Sequence, residues 1–431
     1  MIVVAIVGVI VIALVTGAML GPTIGAVGLT VLLFEFNGNF RVIPSAIWNI
    51  FSSPTLIAVP AFMLLGEMLG QTGIARRIYV ALTPLFERLP GRLLQVNIAT
   101  ATLFSALNGS SMATAAAVGS ISFHELDRKG YDRKALVGSI VGGGSLGMLI
   151  PPSVIMIIYA SMVDASVGKL FAGGIVPGLM IATMFGTYVA ISALVRPTMV
   201  PSEGKVVPLK QALLTCLDAW PFLFLIIAIL GTILAGWATP TESAAFGVAV
   251  TLILGAIYRE LTVRRVWIAL RRTAIGFGTI SLILMSSIVL YQAAALSGMP
   301  QEILSLVSRL SVPPWVILLV LYAIYLGLGC VLDGFGMLLL TLPIVYPLVI
   351  SLGYDPIWFG IVMVILIEVS VLTPPVGFNL FVICGISNNK VSLGQAGLAA
   401  LPYWMLIMVA LGVFTVEPRI VTWLPSLMFP N

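Results

Sequence analysis

Four short segments of the 431-residue chain combine hard oxygen donors with residues that interrupt helices. Asn108, Gly109, Ser110, Ser111, Met112, Ala113 and Thr114 stand between two apolar arms. Glycine permits a tight turn there, and the amide, hydroxyl and freed main-chain oxygens form a nest suited to Na+. Gly142, Gly143, Gly144, Ser145 and Gly147 then lead into Ile150, Pro151, Pro152 and Ser153. Two adjacent prolines remove two backbone donors and push the residue before them out of helical geometry, so carbonyls one turn earlier must find other partners. The pairing recurs later, as Leu332, Asp333, Gly334, Phe335 and Gly336, followed by Thr373, Pro374, Pro375, Val376 and Gly377. Asp333 is costly at membrane depth unless paired or hydrated, and a wet interface is its other reading. Glu368, five residues before Thr373, and Asn379, just after the break, are further cavity-facing candidates.

Other polar groups carry less. Glu67 lies inside an apolar run and Glu242 follows Pro240 and Thr241 at the start of another, so each either meets a solute or pairs and caps structurally. His124, the one histidine, adjoins Glu125 and Asp127 and reads as a solvated loop residue. Cys216, Cys330 and Cys384 are far apart in apolar runs, which fits small buried side chains and neither a disulfide framework nor a zinc site. No G-x-x-x-x-G-K-[ST] loop is present, so the chain does not itself hydrolyse ATP. Paired nucleophile or acid–base motifs are also missing, which argues against a membrane enzyme.

The elements that must position these residues follow from composition. The chain is 60% hydrophobic and only 9% charged. Soluble domains carry roughly a quarter charged residues, so lipid is the solvent here. Apolar runs predict spans near 2–20, 22–35, 54–71, 135–163, 170–195, 216–236, 240–258, 273–296, 357–387 and 395–416. Stretches 93–123 and 312–352 are each interrupted near the middle and read as re-entrant hairpins, although two full crossings each would leave the parity unchanged. Segments 74–89 and 300–311 mix charged and apolar positions as interfacial helices do.

Parity places 17 Lys and Arg on one side and four on the other, accounting for all 21. The net charge of +5 therefore reflects the positive-inside rule rather than nucleic-acid binding, and both termini are expected in the periplasm. Landmarks repeat at nearly constant offset: Thr72–Gly73 with Ser297–Gly298, Asn108–Gly109 with Asp333–Gly334, and Pro151–Pro152 with Pro374–Pro375. Five crossings per copy would insert the second copy upside down. The expected fold is an all-α polytopic membrane protein of two inverted-topology repeats, each with five crossings and one re-entrant helical hairpin. The first repeat is 1–196, with hairpin 93–123 and broken span 135–163. A cytoplasmic linker, 197–215, precedes the second repeat, 216–416, with hairpin 312–352 and broken span 357–387, and 417–431 is a periplasmic tail.

The motifs together resemble the large membrane subunit of TRAP transporters, the tripartite ATP-independent periplasmic family. They are N-G-S-S-M-A-T-A-A-A-V-G-S-I at 108–121, G-G-G-S-L-G-M-L-I-P-P-S at 142–153, G-K-L-F-A-G-G-I-V-P-G at 168–178, P-T-E-S-A-A at 240–245 and L-T-P-P-V-G-F-N-L-F-V-I at 372–383. The likeness runs from about residue 54 to 416, with Asn108 standing where Ser or Gly is expected. It implies a bacterial inner-membrane protein with a scaffold and an elevator-type transport core, coupled to two or more Na+ ions. It also implies a small four-helix membrane subunit, expected as a separate chain, and a periplasmic substrate-binding protein delivering a dicarboxylate, sialic acid or other carboxylated solute. By motif position one ion site would use Asn108, Gly109, Ser110 and Ser111 with carbonyls near Gly144 to Pro151. The second would use Asp333 and Gly334 with Thr373 and Pro374, and the solute would lie near Ser153, Val376, Gly377 and Asn379. A stand-alone cation-coupled carboxylate carrier of similar architecture is the alternative.

Overall fold

The computed structural model describes residues 20–36, 40–201, 207–309, 312–388 and 390–430. The span expected at 2–20 lies outside them except for Leu20. The described residues form helices joined by short turns. Among the described residues, seven helices are long and apolar enough to cross a membrane: Pro54–Gln71, Val167–Val195, Leu209–Leu234, Pro240–Ile257, Val263–Leu296, Gly334–Ser351 and Leu393–Val416. Prolines at the first helical position open several elements, including Pro54, Pro240 and Pro356, where the missing N–H costs nothing. Glu242 completes a capping box with Thr239, which settles it as a helix-start cap.

Both interrupted stretches are hairpins of two helices. The first joins Leu93–Asn108 to Ser111–Arg128 and the second joins Pro314–Gly329 to Gly334–Ser351, so the arms are 16 and 18 residues long in each case. Both proline pairs break their helices. Arg133–Ser145 ends in a tight turn, Leu146–Met148, before Val154–Val163, and Pro356–Leu372 stops before Phe378–Ile386. The Pro151–Pro152 and Pro374–Pro375 peptides are both cis.

The hairpins and broken helices interlace. Phe378–Ile386, from the later half, packs on Ser111–Arg128 of the earlier hairpin, and Val154–Val163, from the earlier half, packs on Gly334–Ser351 of the later one. Pro356–Leu372 is the centre of the molecule, with every residue from Ile357 to Leu372 buried. Around this unit stand Pro54–Gln71 against Pro240–Ile257, and the 34-residue helix Val263–Leu296 along Leu20–Glu35. Pro240–Ile257 and the neighbouring Trp220–Leu234 expose large apolar side chains such as Phe246 and Ile253, and Phe224 and Ile227, as a lipid-facing surface requires.

Some details differ from the sequence reading. The end of the expected linker is already helical, because Leu209–Cys216 runs through a tight turn into Trp220–Leu234. The stretch after residue 416 forms an amphipathic helix, Arg419–Met428, whose Val421 is buried against Val167–Val195. His124 lies on the last turns of Ser111–Arg128 rather than in a loop, exposed beside Phe123. The three cysteines are free and half-buried, and no cluster able to hold a metal through His, Cys, Asp and Glu occurs among the described residues.

Candidate functional site

At the first hairpin tip Asn108 ends one helix and Gly109 turns the chain with a left-handed backbone, φ 64°, its N–H donating to the Ser105 carbonyl at 3.1 Å. Ser110 then caps the next helix by accepting from the Ala113 N–H. A Cβ on Gly109 would lie 2.6 Å from the Pro152 carbonyl oxygen, so close approach and backbone angle both require glycine. Gly147 meets the Ser110 main chain just as tightly, and Gly144 packs against Ala115. The hairpin tip and the first helix break are therefore in backbone-to-backbone contact, and Asn108, Ser111, Gly144, Pro151 and Ser153 are all buried.

The second half contributes directly to this cluster. Asn379 is fully buried and its amide donates to the Ser111 hydroxyl at 2.7 Å and to the Val141 carbonyl at 3.5 Å. Its side-chain carbonyl oxygen is buried without a hydrogen-bond partner. Asn108 donates to the Ser110 carbonyl at 3.4 Å and the Thr114 hydroxyl at 3.5 Å, leaving its own oxygen towards Gly66 of the helix Pro54–Gln71. Ser153 caps Val154–Val163 through the Met156 N–H.

The second set is arranged differently. Asp333 caps Gly334–Ser351 by accepting from the Gly336 N–H at 3.1 Å, and Gly334 packs on Ile367, with Ile155 and Met148 of the first broken helix close by. Thr373 donates to the Val369 carbonyl at 2.7 Å and accepts from the Trp404 indole at 3.0 Å. Thr373 is half-buried, and Pro374 and Pro375 are exposed, as Val376 partly is, whereas Pro151 and Pro152 are buried. Gly377 starts the last segment, its N–H donating to the Thr373 carbonyl at 2.9 Å. No hydrogen bond joins Asp333 to Thr373 among those described, so the structure assembles the first predicted set tightly and leaves the second spread along the break.

Glu368 is fully buried one and a half turns before Thr373. Neither carboxyl oxygen reaches hydrogen-bond geometry, and the donor facing it is the backbone N–H of Leu149, beside the first break. Glu67, next to Gly66 in the chain, pairs with Arg272 at 3.7 Å. Sequence reading missed Gly66, Val141 and Trp404. Glycine inside an apolar span was the available signal for Gly66, but a main-chain carbonyl and an indole give none until the helices are assembled.

Three helix starts are thus capped by Ser110, Ser153 and Asp333, and a fourth helix begins after Gly377. Helix N-termini favour negative charge, while oxygens freed at the breaks favour cations. The fold resembles the crystal structure of the Alcanivorax borkumensis YdaH transporter, with a TM-score of 0.63, 14% identity and coverage of 90% of this chain and 91% of that one. In sequence, the chain is 34% identical to the C4-dicarboxylate TRAP transporter large permease protein DctM of Pseudomonas aeruginosa, over 94% of this chain and 92% of that protein. It is 30% identical to the sialic acid TRAP transporter large permease protein SiaM of Vibrio cholerae, over 86% of each. The isethionate TRAP transporter permease protein DctMQ of Oleidesulfovibrio alaskensis is 31% identical over 85% of this chain and 57% of its own length. Residues 7–420 match the family described as tripartite ATP-independent periplasmic transporter, DctM component. Together with a multi-pass helical fold, that match makes this chain a member of the DctM family of TRAP transporter permeases, a family of transporters and not of enzymes.

Proposed function

We propose that the chain is the large membrane subunit of a Na+-coupled importer of a small organic acid, working with a separate small membrane subunit and a periplasmic binding protein. The observation that carries this reading is the reciprocal interlock, in which each hairpin packs on the far segment of the other half's broken helix. Such an arrangement is what two inverted repeats, 1–196 and 216–416, would produce around a midplane site. The two hairpins and two broken helices would be the moving core, and the remaining long helices the scaffold of an elevator. Asn108, Gly109, Ser110 and Ser111 with carbonyls of Gly144 to Pro151 would hold one ion, and Asp333 and Gly334 with Thr373 and Pro374 the other. The acid would bind between the tips at Ser153, Val376 and Gly377, with Asn379 supporting the floor through Ser111.

The energetics suffice. A cation moving inward down 100 mV gains about 2.3 kcal/mol. Two Na+ with one monoanion carry one net charge, enough for roughly fiftyfold accumulation before the Na+ gradient adds more. The substrates named for the relatives above, C4-dicarboxylate, sialic acid and isethionate, are all small organic anions and support that solute class. Replacing both tip hydroxyls, Ser110→Ala with Ser111→Ala, is expected to raise the Na+ concentration for half-maximal uptake at least tenfold in proteoliposomes while insertion is unaffected. Unchanged Na+ activation in that double variant would remove the first ion site.

A further inference from the structure

On the side that collects most of the Lys and Arg, a cavity of about 780 Å³ opens where the two halves of the chain meet away from the interlocked core. Arg76 and Arg77 come from the helix Ile74–Phe86, Asp218 from the turn before Trp220–Leu234 and Trp220 from that helix's start, Glu260 from the loop that leads into Val263–Leu296 and Arg265 from the first turn of that helix. One wall is already satisfied. Glu260 accepts from Arg77 at 2.7 Å and from the Gly73 N–H at 2.8 Å, while the Arg77 guanidinium lies 4.1 Å from the centre of the Tyr258 ring. Arg265 spends one N–H on the Glu260 main-chain oxygen. Arg76 and the rest of the Arg265 fork then face the cavity together, with Asp218 as the remaining acid and no ion pair to any of the three among the described residues.

The surroundings are those of a bilayer boundary. Ile74–Phe86 is an amphipathic helix, and Val80 and Trp220 are exposed apolar groups lining the cavity. A planar guanidinium pair suits a phosphodiester, an exposed tryptophan suits the level of the headgroups, and the apolar rim suits acyl chains. Asp218 adds a place for an ammonium beside the phosphate. We infer that this cavity is a phospholipid headgroup site that takes a phosphodiester on Arg76 and Arg265 and favours an amine-bearing headgroup through Asp218, bridging the halves at the membrane surface.

The test is native mass spectrometry of the full chain, delipidated in detergent and titrated with phosphatidylethanolamine, phosphatidylglycerol or inorganic phosphate. Loss of two charges at about 1 kcal/mol each should weaken retention of both lipids about 30-fold in Arg76→Gln with Arg265→Gln. Arg264→Gln, on the same helix but outside the cavity, should retain them as the unaltered chain does. Asp218→Asn should erase the preference for phosphatidylethanolamine over phosphatidylglycerol, and it serves as the deciding variant if the arginine double variant does not fold. Equal lipid retention in all variants, or displacement of lipid by millimolar inorganic phosphate, would overturn the assignment.

Discussion

Gly109 and Asn379 carry the site at the scale of single residues. A methyl group on Gly109 would meet the Pro152 carbonyl at 2.6 Å on a backbone with φ 64°. Left-handed geometry alone costs an L-residue about 1–2 kcal/mol, so Gly109→Ala is expected to lower the melting temperature and to weaken Na+-induced stabilisation, both read in a thermal-shift assay. Glycine-to-alanine at Gly236, equally left-handed but in open space, should lower stability without touching the Na+ response. Asn379→Ala leaves the Ser111 hydroxyl and Val141 carbonyl without their donor in a sealed interior. Losing such a bond costs about 1–3 kcal/mol, so Na+ affinity should fall between about fivefold and about 150-fold; unaltered affinity would show that the bond does not shape the ion site. The tip residues were legible beforehand because turn chemistry is local: Asn-Gly followed by Ser dictates an end, a left-handed turn and a cap. The long-range donor–acceptor pair was not, since a contact between positions 111 and 379 has no signature in either neighbourhood.

Helices supply the next level, and here the sequence was read closely. Helix interruptions stand at the Asn-Gly, Asp-Gly and Pro-Pro sequences, because a run of apolar residues punctuated by Gly or Pro has few alternatives in lipid. What periodicity could not report was the docking of one element on another. Asp127 illustrates it: at the end of the first hairpin, it is hydrogen-bonded by Arg133, at 2.9 Å, and by Lys390 from beyond the second broken helix, at 3.2 Å. Partial desolvation pushes its carboxyl up, but the bonds from Arg133 and Lys390 outweigh that and hold it below the ordinary aspartate range. Because the folded value is depressed, the clamp contributes its stability above the unfolded pKa and loses it as pH falls through the folded one. Asp127→Asn is therefore expected to melt slightly lower than the unaltered chain at neutral pH, by the equivalent of about 1 kcal/mol or less for an exposed pair, with the two curves converging in acid and in high salt. A difference that persisted in acid would assign the effect to packing.

For the whole molecule, the open question is how two packed halves behave as one machine. Reconstituted alone, the chain should give no uptake of organic anion, and uptake should return when the small membrane subunit and the binding protein are both supplied under an inward Na+ gradient. Robust transport by the single chain would instead favour a self-sufficient carrier. Composition forecast the membrane class from first principles; the unequal exposure of the two breaks, with Pro151 sealed and Pro374 open, depends on how the halves pack and has no signature in either proline pair. The 34-residue helix Val263–Leu296 has a consequence of its own. Its last charged residue is Arg272, and the 24 apolar-rich residues after it span about 36 Å at 1.5 Å each, against about 30 Å of hydrocarbon. A rod longer than the hydrocarbon is accommodated by leaning, kinking or a local thickening of the bilayer, so the fit of this helix to its surroundings changes with bilayer thickness, and a thicker membrane would shrink the mismatch.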